Sequence, residues 1–168
     1  MKYSYNVYIA IPLMAVLTVV QSSILPRVPI FGFVPILPLL VVVAWSLLRS
    51  PDEGVLWAFV AGFFLDLYST SPLGSQSLAM MLAVIAVTTA QRSLPVSRLW
   101  LPALLTAAAS LIYLAVYLLL IRLAGYPLDR QIVNQLPQLT LLHGLLAVPV
   151  YWLALTINRR STPRRVEL

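Results

Sequence analysis

Two side chains in this 168-residue sequence could do chemistry in apolar surroundings: Asp66 and His143, the single histidine. Each stands inside a long apolar run, where an ionisable group is costly and therefore has a reason to be present. Arg122 stands near the end of another such run. A proton relay needs a chain of such groups, and a nucleophilic or metal site needs a base or further ligands beside the first residue. One Asp and one His supply neither. The sequence contains no cysteine, which excludes disulfides, thiolate catalysis and cysteine-ligated metals. No catalytic residue, cofactor or metal ligand set is therefore expected. Two structural uses remain for the pair. At about 1.5 Å rise per residue the two fall at similar depth, so an Asp66–His143 contact is one expectation. The other gives Asp66 a capping role, its carboxylate bonding backbone N–H groups of the 69–74 turn with Ser69 as a partner, and leaves His143 an ordinary hydrogen-bonded residue.

The elements that must carry these residues follow from composition. Apolar residues make up 61% of the chain and charged residues 10%, against roughly half and a quarter in a soluble domain. That surplus cannot be hidden in a core of this size, so part of it faces lipid. Apolar blocks run over about 7–25, 30–48, 54–70, 75–91, 100–124 and 137–157. Each approaches the roughly 20 residues that cross a bilayer as a helix. Turn chemistry separates them, at Ser50-Pro51-Asp52, Ser71-Pro72-Leu73-Gly74 and Gly125-Tyr126-Pro127 among others. None alternates in the manner of a barrel strand, so the expected fold is all-α: one integral membrane bundle of six transmembrane helices filling the chain, with a basic tail over 158–168. The first block is too long for a secretory leader and lacks a small-residue cleavage site, so it reads as a retained helix.

Lys and Arg set the orientation. With the N-terminus inside, the inner segments hold Lys2, Arg49, Arg92, Arg98, Arg159, Arg160, Arg164 and Arg165, eight in all, and the outer segments hold Arg27, Arg122 and Arg130. That bias favours both termini in the cytoplasm. The net charge of +6 is thus a membrane signature and does not point to nucleic acid. Arg159, Arg160, Arg164 and Arg165 read as topology anchors that can also meet anionic lipid or a cytoplasmic partner.

The third helix has a further pattern. Gly54, Ala58, Gly62 and Asp66 recur every fourth residue and so share one face. Small residues at this spacing let a neighbouring helix come close. Ala79, Ala83, Ala86 and Ala90 give the fourth helix a matching face, so the two are expected to pair antiparallel across their tight turn. The second helix is expected to be bent or short at its start, because Gly32, Pro35 and Pro38 interrupt it.

The stretch from Pro35 through Gly62-Phe63-Phe64-Leu65-Asp66-Leu67-Tyr68-Ser69 to Leu73-Gly74 and Leu78-Ala79-Met80 resembles the rod shape-determining protein MreD family. Its recognisable core is Gly-x-x-x-Asp-Leu-x-Ser-x-x-x-Leu-Gly, here Gly62 to Gly74. The resemblance implies a non-enzymatic subunit of the bacterial cell-elongation complex in the inner membrane. It further implies docking of the bitopic protein MreC and, through it, links to the filament protein MreB and the RodA–PBP2 synthase that builds lateral peptidoglycan. On that reading Gly62, Asp66, Ser69, Leu73 and Gly74, with Pro35, Gly54 and Ala58, form a structural motif that a partner recognises. The six-helix layout is also similar to the substrate-binding S components of energy-coupling-factor vitamin transporters, which makes a small-molecule-binding subunit the alternative. Those proteins meet their partner through Ala-x-x-x-Ala on the first helix, a spacing that Ala10 and Ala15 lack. A lipid-pathway enzyme or flippase would need polar catalytic groups that the sequence does not offer.

Overall fold

A computed structural model describes residues 3–94, 100–128 and 130–161, with side chains over 8–94, 100–128 and 133–159. Lys2, Arg98, Arg164 and Arg165 lie outside the described residues, as does the side chain of Arg160. The described chain is all-helical: α1 (Tyr3–Ser23), a short 3-10 turn (Leu25–Arg27), α2 (Leu37–Leu48), α3 (Pro51–Leu67), α4 (Ser75–Arg92), α5 (Leu101–Leu123) and α6 (Arg130–Ser161). Segments Tyr8–Arg27, Leu101–Leu123 and Val133–Arg159 are long and apolar enough to cross a membrane. The others differ in kind. Helix α2 has 12 residues and so spans about 18 Å, short of a hydrocarbon core of about 30 Å.

Local chemistry explains where these helices begin. Proline occupies the first turn of α2, α3 and α5, where its missing N–H costs nothing. The apolar block at 30–48 is helical only from Leu37. Before it the chain folds back through an isolated bridge between Ile30 and Phe33, with Gly32 at φ +83°. Pro35 is buried just ahead of the helix. The sixth helix departs from its expected start, since Arg130 to Leu136 are helical and Pro137 lies within α6.

Helix α2 sits at the centre and touches all five other α-helices. Around it, α3 packs on α4, α4 on α5 and α5 on α6, while α1 covers α3. Leu39, Val42 and Val43 of α2, Ala58 and Ala61 of α3, Ala79, Met80 and Ala83 of α4, and Ala109 of α5 are sealed in the common core. The small residues of α3 do what their spacing suggests. A Cβ on Gly62 would run into the backbone of Ser77, whose N would lie 2.6 Å away. One on Gly54 would strike Ser46 of α2 and come within 3.3 Å of Val84 of α4. The pairs 62/77 and 54/84 fix α3 and α4 as antiparallel. The ridge is thus spent on internal packing, between α3 and its two neighbours.

Replacing Gly62 by Ala forces α4 away from α3 by its backbone, which cannot yield as a side chain can. We expect Gly62→Ala to cost about 1–3 kcal/mol of stability. Gly144→Ala is expected to cost less, because its nearest neighbours would be Ala107 Cβ at 3.3 Å and Ala103 O at 3.4 Å. Denaturant titration of both variants in one detergent checks the order.

Candidate functional site

The described polar groups gather where α1 and α3 end and α2 and α4 begin. A helix start leaves N–H groups without intrahelical partners, and in apolar surroundings each one must be bonded. For α4 the accounting is complete. Asp66, 1% exposed at the end of α3, accepts from the backbone N–H of Gly74 (3.0 Å), Gln76 (3.0 Å) and Ser77 (3.2 Å). The hydroxyls of Ser77 (3.0 Å) and Ser75 (3.3 Å) donate to the same carboxylate. The remaining N–H, on Ser75, bonds to Pro72 O. One carboxylate therefore caps the next helix and adds its charge to the positive end of that helix's dipole. Gly74 makes this feasible as the N-cap residue, at φ +90°, a left-handed conformation that suits glycine. Gly62 completes the device by letting Ser77 sit directly on α3, one turn from Asp66.

The start of α2 is capped by two other helices. Ile36 N–H donates to His143 Nε2 of α6 at 2.8 Å, and Leu37 N–H donates to Gln21 Oε1 of α1 at 2.9 Å. The next residue, Pro38, has no N–H to satisfy. Because Nε2 accepts, the proton of the neutral imidazole is on Nδ1, which faces Ser110 Oγ of α5. His143 is fully buried. The expected Asp66–His143 contact is therefore corrected. Similar depth put both near helix starts, but of different helices, and each has its own hydrogen-bond partners. Ser69 bonds Asp66 through the backbone, its N–H donating to the Asp66 carbonyl at 3.2 Å, and is corrected only as a partner of the carboxylate: its hydroxyl accepts from Ser71 N–H at 3.0 Å and pairs with Ser71 Oγ at 2.7 Å. Leu73 is 73% exposed at the tip of the turn.

Several polar residues here were not singled out from the sequence. Tyr113 of α5 donates to Gln76 Oε1 at 2.9 Å and lies parallel to Tyr117, ring centroids 6.0 Å apart. The only advance signal was Ser75-Gln76-Ser77, a polar triplet at the head of an apolar block. At the other end of the bundle Glu53, assigned from sequence to a loop, is buried in the first turn of α3 and accepts from Trp45 Nε1 at 2.9 Å. The Trp45 ring stacks on Trp57 and carries the Arg49 guanidinium 5.2 Å from its centre. Gln91 of α4 donates to Leu47 O at 3.1 Å, so α2 is held at its C-terminal end as well. Arg159 is exposed near the end of α6. No group of three His, Cys, Asp or Glu residues stands ready for a metal among the described residues.

Removing the Asp66 carboxylate strips three backbone N–H groups of their acceptor. Asp66→Ala is expected to cost about 2–4 kcal/mol, and Asp66→Asn clearly less because one amide oxygen still accepts. His143→Leu takes the partner from one backbone N–H, that of Ile36, and from the buried Ser110 hydroxyl, and is expected to cost about 1–3 kcal/mol. Unfolding in a mild detergent ranks the three variants.

No curated protein and no solved structure matches the chain. A family model described as rod shape-determining protein MreD matches residues 1–159, nearly the whole sequence. That family is one of shape-determining structural proteins and is not a known enzyme family. Its role, together with three helices long enough to cross a bilayer, makes this a membrane protein of the rod-shape machinery. The chain belongs to the MreD family.

Proposed function

We propose that this protein is a non-enzymatic scaffold in the bacterial inner membrane that docks an MreC-like bitopic partner. Through that partner it supports lateral peptidoglycan synthesis by the RodA–PBP2 pair and communicates with MreB. In this reading all six helices cross the bilayer, both termini are cytoplasmic, and the short α2 is enclosed by the others. The eight-to-three distribution of Lys and Arg supports that orientation.

The observation that carries the proposal is the commitment of Asp66. Both carboxylate oxygens are occupied by donors from a single turn and helix start. A proton carrier or ion ligand needs a carboxylate that can exchange partners; this one instead fixes the α3–α4 end in one shape. Outside the core, α1 and α3 present apolar side chains such as Ile9, Leu13, Phe59 and Phe63. A fixed polar frame beneath an apolar exterior suits the docking of a partner's membrane helix, where close packing replaces the hydrophobic effect as the driving force.

Co-purification with an MreC-like protein in mild detergent tests this. Asp66→Ala is expected to reduce recovery of the partner severalfold, and Asp66→Asn to fall between Ala and wild type. Wild-type recovery from both variants would remove Asp66 from any role in the complex.

A further inference from the structure

A cleft of about 410 Å³ opens beside the capped helix starts, within the usual range for a small-ligand site of about 300–1,000 Å³. Gln21, Gln76, Tyr113 and Tyr117 line it, with Tyr68 and Ser69. Its chemistry is unusually uniform. None of the lining residues is Lys, Arg, His, Asp or Glu. The amide oxygens of Gln21 and Gln76 are both used, by Leu37 N–H and by the Tyr113 hydroxyl. Their amide nitrogens meet no described acceptor. Gln76 is 8% exposed, so its unpartnered –NH₂ is a nearly buried donor turned into the cleft. The Tyr117 hydroxyl is likewise bonded to no described residue, and its half-buried ring stacks on the buried Tyr113.

A second hollow adjoins the first. It measures about 370 Å³ and runs between α1 and α3 along Ala15, Val16, Val19, Phe64 and Leu67. Tyr68 lines both. Ala15 to Val20 precede Gln21 on α1, so this groove lies on the bundle-centre side of the cleft, at the depth of lipid tails. A donor-rich, uncharged cleft and an apolar groove thus lie on either side of Tyr68.

We propose that the two together bind one lipid with an uncharged sugar headgroup, the headgroup in the cleft and an acyl chain in the groove. Sugar hydroxyl and ring oxygens accept from the Gln21 and Gln76 amides and from Tyr117, and the C–H face of a sugar ring lies against Tyr117. A phosphate headgroup is disfavoured, because recognition of phosphate calls on Arg, Lys or a helix start with free N–H groups. The helix starts here are already capped. The apolar groove selects a lipid over a free sugar. This inference does not depend on the docking of a partner protein.

The test uses the full chain purified in a sugar-free amine-oxide detergent, with lipid retention read by native mass spectrometry. The probes are diglucosyl diacylglycerol, phosphatidylglycerol and diacylglycerol with the same acyl chains. Wild type is expected to retain the glycolipid about tenfold over either other lipid. Tyr117→Phe removes a hydroxyl that bonds no other described residue and keeps the ring on Tyr113, and Ala15→Phe fills the groove. Each is expected to lower glycolipid retention about fivefold at an unchanged melting temperature, with phosphatidylglycerol retention unaffected. Equal retention of phosphatidylglycerol or diacylglycerol by wild type overturns the proposal, as does full glycolipid retention by both variants. Displacement of the glycolipid by maltose at similar concentration would make the ligand a free sugar and also overturns it. Loss of an MreC-like partner from Ala15→Phe with glycolipid retention intact would assign the groove to a protein helix instead.

Discussion

A helix that begins inside an apolar layer must find acceptors for its first N–H groups, and that requirement organises this bundle. Helices α2 and α4 both begin against neighbours whose side chains supply those acceptors. Asp66 solves the problem for α4 from the preceding helix, across a turn of seven residues. Gln21 and His143 solve it for α2 from the first and last helices. The two solutions differ in what they demand. The carboxylate brings a charge, which the dipole of α4 and five donors offset together. The start of α2 is met by neutral groups, and its third N–H is removed by using proline. The bundle therefore carries one buried charge at this end where the alternative assignment of roles would carry two.

The consequences reach the packing. Asp66 can touch the first turn of α4 only if α3 and α4 approach at backbone distance, which is why glycine stands one turn before it. The same ridge continues to Gly54, pressed between Ser46 of α2 and Val84 of α4. Helix α2 is then gripped along its length by small residues and at both ends by amides or imidazole, with Gln91 on its last turn. A 12-residue helix of modest intrinsic stability becomes the element that every other helix touches. Pulling on any one cap exposes an N–H or a carbonyl inside the bundle, which gives the arrangement its resistance to change of shape.

Much of this was legible in the sequence because it depends on spacing along one helix. The four-residue repeat of Gly54, Ala58, Gly62 and Asp66 defines a face before any neighbour is known. Pro35 and Pro38 announce that α2 starts late. What was not legible depends on rotation of one helix about another. Depth along the membrane is readable from residue counts, but azimuth is not, and so His143 and Asp66 could share a level without sharing a partner. Glu53 was misplaced for a related reason. Ser50-Pro51-Asp52-Glu53 reads as a polar loop, yet Ser50 caps α3 at once and turns Glu53 inward to Trp45. The sixth apolar block begins at Pro137, whereas α6 already extends back through the more polar 130–136 to Arg130.

The capping scheme also decides the character of the surface beside it. Gln21 and Gln76 each use a side-chain oxygen internally, one on a backbone N–H and one on a tyrosine hydroxyl. A glutamate at either position would supply that oxygen equally well and would strengthen a cap by its charge. It would also leave a second anionic oxygen facing the cleft, near the buried Asp66. Glutamine leaves an N–H donor there instead. The polar cleft is thus neutral and rich in donors as a direct result of how two helix contacts are made, so the rigidity of the frame and the chemistry of this hollow come from the same side chains.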